Sequence, residues 1–118
     1  MMRPELRRGD IFWVDWSPGR GSEQTGRRPA LIVQADAANR HPRYPNTIVA
    51  AVSTKGRAEV SVHVLVEPSA ENGLSSVSYV KCEQLQTVDK SRLEERLGWL
   101  SEADLARVEE ALRIMLGL

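Results

Sequence analysis

The sequence predicts a mainly β protein of the α+β type: a small, partly closed barrel capped by a C-terminal helix. Three observations support this class. Short runs rich in valine and isoleucine alternate with polar turns, the runs recur at close intervals, and only the last segment shows helical spacing. The 118 residues fit one domain of ordinary size, without repeats or linkers, so residues 1–118 are taken as a single domain.

Five segments are expected to be strands because β-branched residues are enriched in them and turn residues separate them. They are residues 11–16, 30–34, 47–53, 60–66 and 77–83. In the first strand, Trp13 and Trp16 fall on opposite faces because side chains alternate along a strand. One of the two is therefore expected in the core and the other at an interface.

The C-terminal segment carries the start and stop signals of a helix. Ser101 is a good N-cap, and Asp104 stands three residues later, as in a capping box. Gly117 is placed to end the helix, and a shorter helical turn is expected from Asp89. The apolar stripe of the C-terminal helix comprises Leu105, Val108, Leu112 and Met115.

The charges are balanced in number but not in position. The chain has 16 basic and 16 acidic residues, yet residues 1–60 hold ten basic and six acidic ones, and residues 61–118 hold the reverse. A local basic field of this kind can attract a polyanion although the net charge is zero.

Several classes of protein are excluded by composition. The two histidines and the single cysteine, Cys82, lie far apart in the sequence, so we expect no zinc site, no other metal and no cofactor. Residues 1–10 lack the apolar core of a signal peptide, and no run approaches the length of a membrane span. A cytoplasmic protein without membrane contact is the expectation.

The segment GSEQTGRRP, residues 21–29, is the first candidate site. Arg28 precedes Pro29, which pushes its backbone into an extended conformation at the entry of a strand. A guanidinium group there can hold two phosphate oxygens at once. The neighbouring hydroxyl, carboxylate and amide groups that could read base edges are Ser22, Glu23 and Gln24. Composition alone, however, favours an ordinary surface hairpin.

Three further segments hold candidate residues, and two of them have two interpretations each. The sequence STK at 53–55 ends a strand, where hydroxyls and a lysine either contact phosphate or simply form a turn. The segment at 83–90 passes from a strand into a helical turn. The loop at 40–47, RHPRYPNT, either supplies phosphate contacts and base stacking or forms a mobile rim.

Taken in order, RRGDIFWVDWSPGRGSEQTGRRPALIV, TIVAAVST and EQLQTVDKSRL resemble the MazF/PemK family of toxin endoribonucleases, over about residues 8–118. The resemblance implies an SH3-like barrel of antiparallel strands with short helices, assembled as a homodimer. It also implies metal-independent cleavage of single-stranded RNA, which leaves a 2′,3′-cyclic phosphate and a 5′-hydroxyl. A cognate antitoxin that neutralises the enzyme, and DNA binding together with that antitoxin, are implied as well.

The resemblance also assigns roles to residues. It implies catalysis by Arg28 and by Ser53, with Thr54 adjacent and able to compensate. The sequence departs from the family at Gln86, where an arginine is common, so a second phosphate-holding arginine is not expected there. Ser22, Glu23 and Gln24 match the loop of the family, and Asn39 either contacts RNA or caps a turn. The residues expected to contact RNA are Ser22, Glu23, Gln24, Arg27, Asn39, Thr54, Lys55 and Gln84.

The residues fit attack of a ribose 2′-hydroxyl on the neighbouring phosphorus. Arg28 can stabilise the added charge in the manner of an oxyanion hole. It is a poor general base because the pKa of arginine exceeds about 12. Glu23 and His41 are alternative bases, and the choice between them stays open. His63 and Cys82 are interpreted as structural, the latter as a buried and inert thiol.

Two other functions compete with RNA cleavage. The gyrase poison CcdB resembles this barrel without being a nuclease, so the fold alone does not decide. A non-catalytic RNA-binding relative is the third hypothesis, and the departure at Gln86 is its support. The arginine–proline loop favours the nuclease, because a gyrase poison does not need that arrangement.

Overall fold

The computed structural model describes residues 5–118, which form six strands, two α-helices and one 3₁₀ turn. The strands are β1 (Asp10–Asp15), β2 (Arg27–Ile32), β3 (Asn46–Ser53), β4 (His63–Val66), β5 (Ser78–Asp89) and β6 (Arg96–Trp99). The helices are α1 (Asp36–Asn39) and α2 (Glu102–Leu116), and the 3₁₀ turn spans Lys90–Arg92. None of the described helices is long and apolar enough to cross a membrane.

The strands form one antiparallel sheet in the order β4-β5-β3-β2-β1-β6. Register shifts in the β3–β5 pair at Ala50/Ala51 and in the β1–β6 pair at Ile11/Phe12 bend the sheet. The segment after β4 then reaches β6, where Trp99 N–H donates to the Glu71 carbonyl over 3.0 Å. The expected mainly β fold, a partly closed antiparallel barrel with a C-terminal helix, is confirmed.

Both faces of the sheet are covered by apolar side chains. Helix α2 packs on one face through the buried Val108 and Ala111, together with Leu31, Val52 and Val80 from the strands. The other face carries a second apolar cluster, whose buried residues are Val14, Trp16, Ala30, Ile32, Val49, Ala51 and Val88. Trp16, which directly follows β1, is thus the core tryptophan, as one of the two was expected to be.

The two ends of helix α2 were predicted correctly from its capping residues. Ser101 Oγ accepts the backbone N–H of Asp104 over 3.1 Å, so the predicted N-cap is present. Gly117 adopts the left-handed conformation, with φ of 71°, and ends the helix. The turn expected from Asp89 is the 3₁₀ turn, where the Asp89 side chain accepts from Ser91 N–H.

The strand bounds differ from the prediction at several places. β4 begins only at His63, because residues 60–62 form a turn in which His63 N–H donates to the Val60 carbonyl. β5 continues to Asp89, beyond the predicted end at residue 83, since β3 pairs with it as far as Asp89. Strand β6 and the one-turn helix α1 were not predicted.

Candidate active site

A cavity of about 400 Å³ opens where β2 begins and β3 ends. Ala30 pairs with Ala51, and continuing this register by two residues sets Arg28 opposite Ser53 on neighbouring strands. The structure therefore brings the two expected catalytic residues to one place. The lining consists of Trp13, Arg27, Arg28, Pro29, Val52, Ser53, Thr54, Gly73, Leu74, Ser75, Ser76, Ser78 and Leu97.

The two adjacent arginines differ in their partners. Arg27 lies with its guanidinium 4.5 Å from the centre of the Trp13 ring, and its Nε donates to Glu94 Oε1 over 2.7 Å. Arg28 donates only to the carbonyl of Arg27, over 3.1 Å, and no carboxylate within residues 5–118 forms an ion pair with it. Arg28 is exposed and therefore keeps a charge that is available to a phosphate.

The end of β3 supplies hydroxyls beside this charge. Ser53 Oγ accepts the N–H of Lys55 over 3.1 Å, which tightens the turn that follows the strand. Its hydroxyl proton is free to be donated elsewhere, because the oxygen is the acceptor in this bond. Thr54 and Lys55 are exposed, and Thr54 lines the same cavity.

The loop that precedes Arg28 is held down by two glutamines. Gln24 N–H donates to Gln84 Oε1 over 2.7 Å, and Gln84 Nε2 donates to the Ser22 carbonyl over 3.1 Å. Gln24 Nε2 in turn donates to the carbonyl of Val52, at the end of β3, over 3.1 Å. Gln24 and Gln84, which sequence reasoning offered as RNA contacts, thus fasten the loop to β3 and β5.

A second cavity, of about 420 Å³, lies on the other side of this loop. Glu23 lines it, and the Glu23 carboxylate accepts the N–H of Arg20 over 2.6 Å. Glu23 does not line the cavity of Arg28, so the structure separates this candidate base from the expected catalytic pair. The complete lining is Trp16, Pro18, Gly19, Glu23, Gln24, Glu83, Gln84, Leu85 and Gln86.

Asn39 lies outside the site. It is 5% exposed, and its amide bonds the Gln34 carbonyl over 2.9 Å and the Thr47 hydroxyl over 2.8 Å. Burial removes Asn39 from the residues that RNA could contact. Its place at the end of α1, bonded to β3, gives it a structural role, which a short polar residue after a strand does not reveal in sequence.

The serine-rich wall of the cavity was missed in the sequence. Ser75 and Ser76 are exposed and Ser78 is buried, and all three line the cavity opposite the two arginines. Ser75 and Ser76 lie between β4 and β5 in a segment without strand or helix, where no periodic pattern marks them, and Ser78 is the first residue of β5. Only the return of this segment toward β6 brings them to the site.

The remaining titratable candidates have other environments. His41 lies in the exposed segment after α1 and lines neither of the two cavities, and His63 is bonded to Glu83.

Burial, reinforced by the charge of Glu83, raises the pKa of the Cys82 thiol to about 12. Cys82 is therefore an inert thiol at neutral pH, as expected. Hydrogen bonds from Ser17 hold the pKa of Asp15 below its usual value.

Known proteins resemble this chain in both sequence and structure. An endoribonuclease MazF of Staphylococcus epidermidis is 42% identical over 115 residues, which are 96% of this chain and 92% of the relative. An endoribonuclease MazF of Staphylococcus saprophyticus subsp. saprophyticus is 41% identical over 114 residues, with the same coverage of 96% and 92%.

Two solved structures show the same fold. An endoribonuclease of a mycobacterial species, in complex with its cognate antitoxin, matches with a TM-score of 0.78 and 27% identity, covering 96% of both chains. MazF of Deinococcus radiodurans matches with a TM-score of 0.77 and 27% identity, covering 98% of this chain and 100% of that one.

The family described as PemK-like, MazF-like toxin of type II toxin–antitoxin system matches residues 7–116. This match spans nearly the whole chain, and it agrees with the relatives in sequence and in structure. The chain therefore belongs to the PemK-like, MazF-like toxins of type II toxin–antitoxin systems.

Proposed function

We propose that this toxin is an endoribonuclease that cleaves single-stranded RNA, and that the reaction takes place in the cavity of Arg28. The proposal depends on one observation: Arg28, Ser53 and Thr54 line the same cavity, and Arg28 forms no ion pair within residues 5–118. The two staphylococcal relatives are endoribonucleases by name, which supports the same activity here.

The reaction needs a place for charge to develop. The ribose 2′-oxygen forms a bond to phosphorus, the bond from phosphorus to the 5′-oxygen breaks, and a proton moves from the first oxygen to the second. Arg28 stabilises the negative charge on the phosphoryl oxygens in the transition state, and a hydroxyl of Ser53 or Thr54 donates to one of them. Among residues 5–118, no carboxylate or imidazole lines the cavity, so we assign Arg28 to charge stabilisation rather than to proton transfer.

The other RNA contacts follow from exposure and position. Arg27, Thr54 and Lys55 lie at or beside the cavity and face solvent, so they are proposed to bind the RNA backbone. Ser22 and Glu23 are exposed on the loop and are proposed to contact bases. Gln24 and Gln84 act mainly by holding that loop.

Partners are proposed on the same basis. The mycobacterial endoribonuclease was solved with its cognate antitoxin, and we propose that a cognate antitoxin neutralises this toxin too. A homodimer is proposed as well; the exposed apolar residues near the end of α2, Ile114, Met115, Leu116 and Leu118, support it. A toxin that cuts mRNA acts in the cytoplasm.

Digestion of a long RNA by the purified protein in EDTA tests the proposal. We expect cleavage at a short motif, with 5′-hydroxyl ends that can be mapped by sequencing. Arg28→Ala should lower kcat by about 10²- to 10³-fold, as loss of one preorganised charged donor does, without a change in thermal unfolding. Arg113→Ala, on the exposed face of α2, is the matched control. Cleavage by Arg28→Ala at the wild-type rate would refute the assignment of the site.

A further inference from the structure

The turn that carries the hydroxyls of Ser53 and Thr54 is held in place by side chains that lie outside the cavity; we call these side chains the support. The segment 53–57 leaves β3 and runs across β5 beside β4, where Tyr79 and His63 contact it. We infer that Tyr79 and His63 are positioning residues for Ser53 and Thr54: they fix the far end of this turn and thereby aim its hydroxyls. The inference rests on the proposed function of the cavity.

Gly56 lies flat on the ring of Tyr79. A methyl group added at Gly56 would overlap the ring and would lie 2.8 Å from Tyr79 Cβ, closer than real carbon contacts allow. Tyr79 itself is held in β5, where it pairs with Ser53 of β3 and with Leu65 of β4. The same tyrosine thus touches the turn at its start, through strand pairing, and at its end, through Gly56.

His63 holds the next residue of the turn. Its Nδ1 accepts the backbone N–H of Arg57 over 3.1 Å, and its Nε2 lies 2.7 Å from Glu83 Oε2. A backbone N–H only donates, so Nδ1 carries a lone pair, and Nε2 carries the proton that Glu83 accepts. Glu83 therefore fixes both the ring orientation and the tautomer that the turn requires.

The imidazole has little freedom to move. The His63 side chain is 12% exposed, and its ring stands 6.5 Å from the Tyr79 ring at an angle of 57°. Glu83, Tyr79 and the Arg57 amide thus surround it on three sides. Because Gly56 and Arg57 are held at the far end, the two residues between them and Ser53 are restrained at both ends.

This support acts through position and not through contact with the reacting atoms. Neither Tyr79 nor His63 lines the cavity, so neither touches the phosphate that is proposed to bind there. Geometry is nevertheless decisive for such hydroxyls, since a displacement of about 1 Å can cost about 10²-fold in rate. The support should therefore influence kcat more strongly than the affinity for RNA.

A pair of substitutions at His63 tests the inference. His63→Leu removes the acceptor for the Arg57 amide, whereas the Oδ1 of His63→Asn can take the place of Nδ1. We expect kcat to fall at least tenfold in His63→Leu, with KM changed less than threefold, and to recover to within threefold of wild type in His63→Asn. Rates are to be measured at a temperature where circular dichroism shows every variant fully folded.

Arg107→Leu is the control, because Arg107 also bonds β4, donating to the Leu65 carbonyl over 2.7 Å, but from the side of α2. It should leave kcat unchanged, although it removes this bond and the ion pair of Arg107 with Asp104. A fall in kcat as large as that of His63→Leu would show a general effect of loosening β4 and would overturn the inference. Equal losses in His63→Leu and His63→Asn would overturn it as well.

Hydrogen exchange provides a readout that does not depend on activity. The amide of Arg57 should exchange at least tenfold faster in His63→Leu than in wild type, with protection retained in His63→Asn and Arg107→Leu. An unchanged exchange rate of the Arg57 amide in His63→Leu would overturn the inference that His63 holds this turn. If the wild-type protein fails to cut RNA, the proposed function falls, and the exchange of the Arg57 amide still decides whether the support exists.

Gly56→Ala tests the support at a second position, the contact between Gly56 and Tyr79. The added methyl group must push the turn off Tyr79 without removing any hydrogen-bonding group. We expect a loss of kcat similar to that of His63→Leu. Wild-type kcat in a folded Gly56→Ala protein would contradict the role of Tyr79.

Discussion

Two arginines that are adjacent in sequence have different chemistry because their surroundings differ. Arg27 stacks on Trp13 and pairs with Glu94, so part of its charge is already compensated. Arg28 has no such partner within residues 5–118 and faces the cavity beside Ser53. The proline after Arg28 indicated a fixed backbone from the sequence alone. The stacking of Arg27 on Trp13 depends on strand pairing, which no local pattern shows.

Single residues were predictable where their role was local. The extended backbone of Arg28 and the N-cap at Ser101 depend on immediate neighbours, and the structure contains both. For Asn39 the sequence left an RNA contact and a turn cap open, because its partners, Gln34 and Thr47, belong to two different segments of the chain. A polar residue after a strand has the same sequence signature whether it faces solvent or completes a buried network.

The buried thiol of Cys82 makes stability depend on alkaline pH. Burial raises its pKa from the ordinary value near 9.0 to about 12 in the folded protein. The unfolded chain therefore releases this proton above pH 9 while the folded chain keeps it, and stability falls as pH rises from 9 toward 12. The loss is at most about 1.4 kcal/mol per pH unit for one group.

Urea unfolding at pH 8 and pH 10, compared between wild type and Cys82→Ala, measures this effect. Between these two pH values the wild type should lose about 1 kcal/mol more stability than the variant, which lacks the thiol. The variant should be the less stable of the two at pH 8, because a small cavity remains. Identical losses in the two proteins would contradict the raised pKa.

At the scale of elements, the accuracy of the prediction followed the range of the interactions. Helix α2 was located by its caps and its apolar stripe, all within a short segment. Strand β6 was missed because four residues, RLGW, carry too little pattern, and its pairing partner β1 is distant in sequence. The end of β5 was predicted too early, at residue 83, for a similar reason. The polar residues beyond it form a strand because they pair with β3.

The loop between β1 and β2 is expected to depend on Gln84 for its conformation. Gln84→Ala removes the acceptor for Gln24 N–H and the donor to the Ser22 carbonyl. Because a neutral hydrogen bond contributes about 1 kcal/mol, the loop should become mobile while the fold persists. We expect kcat/KM for RNA to fall about tenfold, since the loop leads directly into Arg28.

The same variant separates a structural role of Gln84 from direct base recognition. A mobile loop should reduce cleavage of all sites alike and should expose residues 20–26 to proteases. A residue that reads a base would instead change the cleavage motif and leave the loop protected. Gln84→Glu keeps the acceptor and loses the donor, so it should fall between wild type and Gln84→Ala.

At the scale of the whole molecule, a neutral chain must bind a polyanion through local charge. The net charge is zero, and several arginines are already paired, as Arg8 is with Glu109 and Arg96 with Asp10. The exposed cations beside the cavity without a carboxylate partner in residues 5–118 are Arg28 and Lys55, whereas the charge of Arg27 is already balanced by Glu94. Binding should therefore involve few phosphates, in contrast to proteins with broad basic surfaces.

The salt dependence of RNA binding measures the number of phosphate contacts directly. Two phosphate contacts on a single strand give a slope of about −1.4 for log affinity against log salt, so affinity should fall about sevenfold between 50 and 200 mM. Fluorescence anisotropy with an oligonucleotide that carries a 2′-deoxy residue at the cleavage site gives the affinity without cleavage. Lys55→Ala should reduce the slope by about 0.7, and Arg113→Ala, distant from the cavity, should not. A wild-type slope steeper than about −4 would mean six or more contacts, and the site would then have to extend across much more of the surface than this cavity.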